Sequence, residues 1–199
     1  MNKERFNIED VSYEQLRNYM LLKVGEQLSI LPNWNGKIEH EKEIDVLCKW
    51  MLDGKKSSLI LQGNVGSGKT ILATALCNTL KVRNLCPALS QMGRLVKYRL
   101  ANGGLPDEVF EERLFFLDDV GTEPREIRDF GNPDSVFNEV IFARYAGNHD
   151  DKKQFPTILT TNLTFEQMRT DYGERVFSRL TEMFDRLVVG GKDLRINAL

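Results

Sequence analysis

The sequence predicts an α/β protein with a mainly parallel sheet, and two features of the chain indicate this class. Short apolar runs of strand length are typical of strands that are covered on both faces. Helix-length segments separate these runs, and this alternation favours parallel pairing of the strands. The apolar runs are residues 58–63, 113–119, 156–162 and 186–191, and the helical segments between them include 70–83, 91–101 and 134–147.

Two further helices are predicted ahead of the first strand. Residues 9–31 show an amphipathic pattern that a proline closes, and residues 39–52 repeat apolar side chains at three- and four-residue intervals. The chain has no internal repeat and no linker long enough to separate two large domains. We therefore expect a short helical N-terminal extension over residues 1–53 and one α/β domain over residues 54–199.

The composition excludes several classes of protein. With 199 residues, of which 41% are hydrophobic and 28% charged, the chain is neither disordered, collagen-like nor a coiled coil. No window approaches the roughly 20 apolar residues of a membrane span, and no signal peptide is recognisable. A cytoplasmic protein without a membrane partner is expected. The three cysteines have no spacing that suggests a disulfide framework or a zinc site.

The net charge of −2 conceals an uneven distribution along the chain. Between Asp53 and Asp107 the sequence contains no acidic residue but eight basic ones. A segment with so strong an excess of one sign is expected to meet an anionic ligand.

The first predicted strand is followed directly by a phosphate-binding motif. Residues 63–70 fit the pattern GxxxxGK[ST] without a mismatch, with a strand before them and a helix after. Backbone N–H groups of such a loop point at phosphate oxygens, and the helix adds the positive end of its dipole. Lys69 can reach the β- and γ-phosphates, and the Thr70 hydroxyl is a ligand for Mg²⁺. The predicted nucleotide-binding residues are Gly63, Asn64, Val65, Gly66, Ser67, Gly68, Lys69, Thr70 and Ile71.

A carboxylate for the metal is expected at the end of a later strand. The run LFFLDD ends in Asp118 and Asp119, at the sheet edge where open α/β folds bind ligands. We expect Asp118 to hold Mg²⁺ through water and Asp119 to orient or deprotonate the attacking water. Asp119 could instead cap a turn or a helix. Together with the loop, these residues predict a Mg²⁺-dependent P-loop NTPase of unspecified kind.

The motifs taken together resemble a more specific family. The order GNVGSGKT, LFFLDDVGTEP, TILTTNL and YGERVFSRL is similar to that of the AAA+ ATPases of the DnaC/IstB group, which are bacterial helicase loaders and transposition helpers. The similarity covers about residues 58–195. It implies an AAA+ type αβα sandwich with a mainly parallel five-stranded sheet. Little or no C-terminal helical lid is expected, because only 20 residues follow Arg179.

The resemblance also implies roles for four polar residues. Asn162 matches the sensor 1 residue, and an Asn at this strand end can hydrogen-bond the γ-phosphate and the lytic water. Arg179 matches the arginine finger that acts in trans on a neighbour's ATP, and Arg175, one helical turn earlier, is the second candidate. Arg195 is a candidate for sensor 2. Without the resemblance, Asn162 could start a turn and Arg179 could form a surface ion pair.

A helix in the acid-free segment is the predicted DNA contact. In the resembling family this region faces the central path of a helical oligomer and binds single-stranded DNA. The corresponding residues here are Arg94, Lys97, Tyr98 and Arg99. Their cations would neutralise phosphates and Tyr98 could stack on a base. Without the resemblance, the same side chains would form a solvated helix face.

The sequence therefore predicts an ATP-hydrolysing AAA+ protein of DNA replication, of the helicase-loader type. ATP is expected to switch its binding of single-stranded DNA and of a protein partner, and to drive its self-association. The partner would be a replicative helicase or a transposase. Three alternatives remain open: an IstB-like transposition helper ATPase, a small-molecule P-loop kinase, and an adaptor that binds nucleotide without hydrolysing it.

Overall fold

A single parallel sheet forms the centre of the protein. The structure, a computed structural model, describes residues 8–32, 34–81, 88–123, 135–149, 155–191 and 194. The strands are β1 (Ser58–Gln62), β2 (Ala88–Gln91), β3 (Phe115–Val120), β4 (Thr157–Thr161) and β5 (Phe184–Val188). Their order across the sheet is β2-β3-β4-β1-β5, and all neighbouring strands are parallel. The predicted five-stranded parallel sheet is confirmed.

Helices cover both faces of this sheet. The described residues contain α1 (Tyr13–Leu28), α2 (Glu41–Asp53), α3 (Lys69–Lys81), α4 (Met92–Asn102), α5 (Glu108–Glu111), α6 (Val136–His149), α7 (Phe165–Tyr172) and α8 (Glu174–Met183). Leu59 and Leu61 of β1 share a core with α1, α2 and α3, whereas Ile60 shares the opposite core with α4, α6, α7 and α8. The alternation follows from the two-residue period of a strand and explains why the strands are apolar throughout.

No apolar run predicts β2, and β5 begins two residues earlier than its apolar run predicts. β2 has the sequence ALSQ, which is too short and too polar to form an apolar run, and it lies at an edge of the sheet. β5 begins at Phe184 rather than at residue 186, because its pairing with β1 starts with Phe184 opposite Ser58. Directly before β5, α8 ends at Met183 without an intervening loop.

The two N-terminal helices pack against the rest of the protein. α1 begins one residue after Ser12, whose hydroxyl caps the helix while Gln15 completes the capping box, and it lies along α3. Arg17 of α1 forms ion pairs with Glu41 and Asp45 of α2 at 2.7 and 2.6 Å. Because these helices share a core with β1, they fix the segment between them relative to the sheet. The proposed boundary after residue 53 stays a prediction.

No described helix combines the length and the apolar character that crossing a membrane requires.

Candidate functional site

A cleft of about 540 Å³ opens at the carboxyl ends of the strands. Parallel sheets bind ligands at this edge, where the loops that follow the strands converge. The lining residues come from the loop between β1 and α3, from the ends of β2, β3 and β4, and from two segments outside the sheet: Leu31, Val65, Gly66, Gly68, Lys69, Thr70, Ile71, Gln91, Asp118, Asp119, Thr122, Asn162 and Leu194.

The loop between β1 and α3 is confined by its neighbours. A Cβ atom on Gly63 would lie 2.3 Å from the carbonyl oxygen of Val189, so no side chain fits there. Gly68 has a φ of +88°, and a Cβ atom there would lie 2.9 Å from the imidazole of His40. Gly63 and Gly68 are thus required by packing against the residue that follows β5 and against His40 of the N-terminal segment. The loop ends at the first turn of α3, where backbone N–H groups have no intrahelical acceptor and can bind an anion.

Lys69 and Thr70 begin α3 and face different partners. The Lys69 side chain is 5% exposed, and its Nζ donates to the carbonyl oxygen of Asn64 at 2.6 Å. The ammonium group is therefore held over the loop. The Thr70 hydroxyl donates to Oδ1 of Asp118 at 3.0 Å. The hydroxyl and the carboxylate are two oxygen ligands of the kind that Mg²⁺ prefers, and they already lie together.

Asp118 and Asp119 lie near the carboxyl end of β3 and differ in their surroundings and backbone conformation. Oδ1 of the buried Asp118 also accepts from the Thr160 hydroxyl at 2.6 Å. Asp119 has a φ of +59°, and it is the only non-glycine residue with positive φ in the described part of the chain. It lies where the register between β3 and β4 is irregular, and its backbone N–H donates to Oγ1 of Thr160 at 3.0 Å. This bulge accounts for both carboxylates lining the cleft although they are adjacent in sequence.

Asn162 follows β4 and lies beside these groups. It is exposed and lines the cleft. The preceding Thr161 donates its hydroxyl to the carbonyl oxygen of Val120 at 2.8 Å and accepts from the N–H of Leu163 at 3.0 Å. These bonds fix the end of β4 against β3. The structure therefore places the phosphate loop, Asp118, Asp119 and Asn162 at one cleft.

No protein-family model matches the chain. It is 27% identical over 159 residues to the replicative helicase loader DnaC of Escherichia coli (strain K12), an alignment that covers 73% of this chain and 61% of DnaC. The predicted resemblance to the DnaC/IstB group is confirmed. The chain spans less than two thirds of the length of this relative.

Two solved structures show the same fold as this DnaC-like chain. DnaI superimposes with a TM-score of 0.59 and 20% identity, covering 82% of this chain and 88% of DnaI. The replication initiator DnaA, bound to AMPPCP and single-stranded DNA, gives a TM-score of 0.57 and 19% identity, covering 77% of this chain and 47% of DnaA. The predicted AAA+ P-loop fold is confirmed.

The two arginine-finger candidates of the DnaC/IstB resemblance lie outside the cleft. The Arg179 guanidinium stacks on the rings of Phe142 and Tyr145 at 4.8 and 4.7 Å, and Arg175 stacks on Phe142 at 5.4 Å. One Arg179 nitrogen donates to the carbonyl oxygen of Arg175 at 3.0 Å. Neither arginine lines the cleft of its own chain. Arg195, the sensor 2 candidate, lies outside the described residues, so its role stays a prediction.

The four DNA-binding candidates of the DnaC-like chain lie on α4 but differ in their surroundings. Arg94 and Lys97 are exposed, and Tyr98 is 44% exposed. Arg99 instead forms an ion pair through its Nε with Glu139 of α6 at 3.1 Å. Because its charge is already compensated, Arg99 is less available for a phosphate than Arg94 and Lys97. Sequence spacing alone does not reveal this partner, which lies on a different helix.

Several residues at the cleft carry no sequence motif. Leu31 and Leu194 form an apolar part of its wall, and the N–H of Leu194 donates to the carbonyl oxygen of Gly66 at 3.0 Å. The buried His40 donates from Nε2 to the carbonyl oxygen of Ser67 at 2.8 Å, since a carbonyl can only accept. Gln91 lines the cleft at the end of β2. Only the position of Gln91 at the start of a predicted helix could have pointed to it.

Proposed function

We propose that the protein is an ATP-binding and ATP-hydrolysing AAA+ ATPase of DNA replication, of the helicase-loader type, with Mg²⁺ as cofactor. The observation that carries this proposal is the convergence of the phosphate loop, Asp118, Asp119 and Asn162 on one cleft. Two relatives support it: DnaC is named a replicative helicase loader, and the DnaA structure contains AMPPCP and single-stranded DNA.

The cleft fits a nucleoside triphosphate in charge and shape. The loop amides and the Lys69 ammonium would bind the phosphates, and the apolar side chains of Leu31, Ile71 and Leu194 would contact the nucleoside. Thr70 and Asp118 would hold Mg²⁺, and the hydrogen bond from Thr160 orients the Asp118 carboxylate for this. When bound, Mg²⁺ neutralises charge on the β- and γ-phosphate oxygens.

Hydrolysis would use two groups on neighbouring strands. Asp119 would orient the attacking water and accept its proton, while the Asn162 side chain would hydrogen-bond the water or the γ-phosphate. The left-handed backbone of Asp119 is unfavourable for a residue with a side chain, and such conformations concentrate at functional sites.

Self-association would complete the site in trans. Arg175 and Arg179 do not line their own cleft but stack on rings of α6, so we expect them to act on the nucleotide of a neighbouring copy. A finger supplied by a neighbour raises phosphoryl-transfer rates by roughly 10³ to 10⁵. The rate of ATP hydrolysis would then depend on whether the protein is assembled into an oligomer.

Mixing two inactive variants is expected to restore part of the activity. Arg179→Ala subunits keep an intact cleft, and Lys69→Ala subunits keep an intact finger, so about a quarter of the interfaces in an equal mixture would combine both. Phosphate release should reappear on mixing, while each variant alone stays inactive. An assembled mixture without recovery would contradict action of Arg179 in trans. Arg175→Ala in place of Arg179→Ala tests the second candidate.

ATPase activity with and without single-stranded DNA, read alongside oligomer size, tests the whole proposal. We expect weak basal hydrolysis, stimulation by DNA, and larger assemblies with ATP. Replacing Arg94 and Lys97 with Glu should reduce the stimulation and its dependence on salt, because fewer phosphates are neutralised. The matched control replaces two exposed lysines of α2, Lys42 and Lys49, with Glu.

Two outcomes would favour other functions. If the protein binds ATP but shows no hydrolysis even with DNA present, a non-hydrolysing adaptor would be favoured. ADP release that depends on a small-molecule acceptor and ignores DNA would favour a kinase.

A further inference from the structure

A buried carboxylate lies directly behind the turn that carries Asp119. Glu123 is 5% exposed, and both oxygens of its carboxylate accept hydrogen bonds. Oε2 accepts from the backbone N–H of Gly121 at 2.8 Å, and Oε1 accepts from the hydroxyl of Tyr172 at 2.5 Å. A carboxylate is buried only at a high free-energy cost unless it is hydrogen-bonded, so these two donors fix its position. Glu123 itself does not line the cleft.

Hydrogen bonds and one close packing contact hold the turn from residue 119 to residue 123. The N–H and the hydroxyl of Thr122 both donate to the carbonyl oxygen of Asp119, at 3.3 and 2.8 Å. Gly121 lies so close to Leu163 that a Cβ atom on Gly121 would be 2.7 Å from the leucine side chain. Leu163 directly follows Asn162. The turn that orients Asp119 is therefore packed against the segment that carries the sensor 1 candidate.

The other end of this connection lies on a helix. Tyr172 is the last residue of α7, and its ring lies 4.4 Å from the ring of Phe137 on α6. The tyrosine is 5% exposed, so its hydroxyl has a fixed direction. Glu123 thus connects the Asp119 turn to the helical layer rather than to another loop.

We propose that Glu123 is a positioning residue for ATP hydrolysis, with its carboxylate, held by Tyr172, keeping Asp119 directed into the cleft. Without this hydrogen bond, the turn loses the contact that ties Gly121 to the helical layer through Glu123, and Asp119 can relax out of the unfavourable left-handed conformation. The inference rests on the proposed ATPase function. It assigns to Glu123 an effect on the chemical step, because Glu123 does not line the cleft and its carboxylate binds Gly121 of the Asp119 turn and Tyr172.

The test is Tyr172→Phe, which removes one hydroxyl and keeps the ring that packs on Phe137. We expect kcat for ATP hydrolysis to fall by about tenfold to 10²-fold, since a small misplacement of a catalytic group has effects of this size. KM and the Kd for a non-hydrolysable ATP analogue should stay within about twofold. Amide hydrogen exchange at Gly121 should become faster. Glu123→Gln, which keeps one acceptor oxygen, should give a smaller fall in kcat than Glu123→Ala.

The matched control is Tyr13→Phe, which removes another tyrosine–carboxylate hydrogen bond, from Tyr13 to Asp45 at 2.9 Å on the surface of α1 and α2. Its kcat should equal that of the unaltered protein. An unchanged kcat in Tyr172→Phe would overturn the inference, as would a parallel loss of kcat and analogue affinity. If the unaltered protein binds ATP but does not hydrolyse it, the proposed ATPase function fails. In that case amide hydrogen exchange at Gly121 tests the positioning role by itself. An exchange rate that is unchanged in Tyr172→Phe would overturn the role of Glu123.

Discussion

Replacing Lys69 with methionine is expected to abolish ATP hydrolysis and to weaken ATP binding by about 10²-fold or more, the equivalent of one or two charge-assisted hydrogen bonds to phosphate. Methionine keeps the length and apolar stem of the side chain but removes the ammonium group. In the structure this group is held over the phosphate loop by the carbonyl oxygen of Asn64, 2.6 Å away. Calorimetric titration with a non-hydrolysable ATP analogue and Mg²⁺ measures the loss.

The effect must be separated from a change in folding. Lys69 is 5% exposed and begins α3, so the urea midpoint of the variant should be compared with that of the unaltered protein. Lys49→Met, on the exposed side of α2, is the matched control and should bind the analogue normally. A Lys69→Met protein that binds with unchanged affinity would show that the phosphates lie elsewhere, and the assignment of the cleft would fail.

The local parts of the fold and site could be predicted from the sequence. The motif from Gly63 to Thr70 could be recognised as a phosphate loop, because its glycines and the start of the following helix are adjacent in the chain. Asp118 and Asn162 could be placed beside it because apolar strands of a parallel sheet end at one edge. The same reasoning supplied the two core faces of the sheet. In each case the information lies within a few residues of the group concerned.

The remainder depends on contacts between distant segments. His40 lies 27 residues before its partner Ser67, and the Arg99–Glu139 pair joins helices 40 residues apart. Glu123 belongs to a recognisable motif, but its partner Tyr172 is 49 residues away. β2 was missed because an edge strand of four residues has too little apolar sequence to form a pattern. Such pairings are fixed only when the sheet and its helices pack.

The largest effect on stability is expected from replacing a buried arginine. Arg144 of α6 is 1% exposed, and burial lowers the pKa of its guanidinium to about 9, so the group remains protonated at neutral pH. Its ring neighbours are Phe115 and Phe155, at 5.5 and 5.1 Å. Its N–H groups donate at 2.7 to 3.2 Å to one hydroxyl and three backbone carbonyls: Oγ1 of Thr157 and the carbonyl oxygens of Val109, Glu112 and Pro156. The guanidinium thereby connects α6 to α5 and to the start of β4.

Replacing Arg144 with methionine should lower the free energy of unfolding by about 3 kcal/mol or more, because buried carbonyl oxygens lose their donors while the space stays filled. Arg144→Lys should also destabilise, since an ammonium group cannot match the planar arrangement of the guanidinium donors. Urea unfolding measures both effects. Arg169→Met provides the control: Arg169 forms an exposed ion pair with Glu174, and its loss should leave the urea midpoint nearly unchanged.

The position of Arg144 also predicts which property stays intact. Its acceptors Pro156 and Thr157 lie at the amino end of β4, whereas Asn162 and the cleft lie at the carboxyl end. At a temperature where Arg144→Met remains folded, its affinity for an ATP analogue should equal that of the unaltered protein. An unchanged urea midpoint would mean that the carbonyls find other donors when the guanidinium is removed. Reduced affinity in the folded variant would mean that the two ends of the sheet are coupled and that Arg144 acts on the cleft as well as on stability.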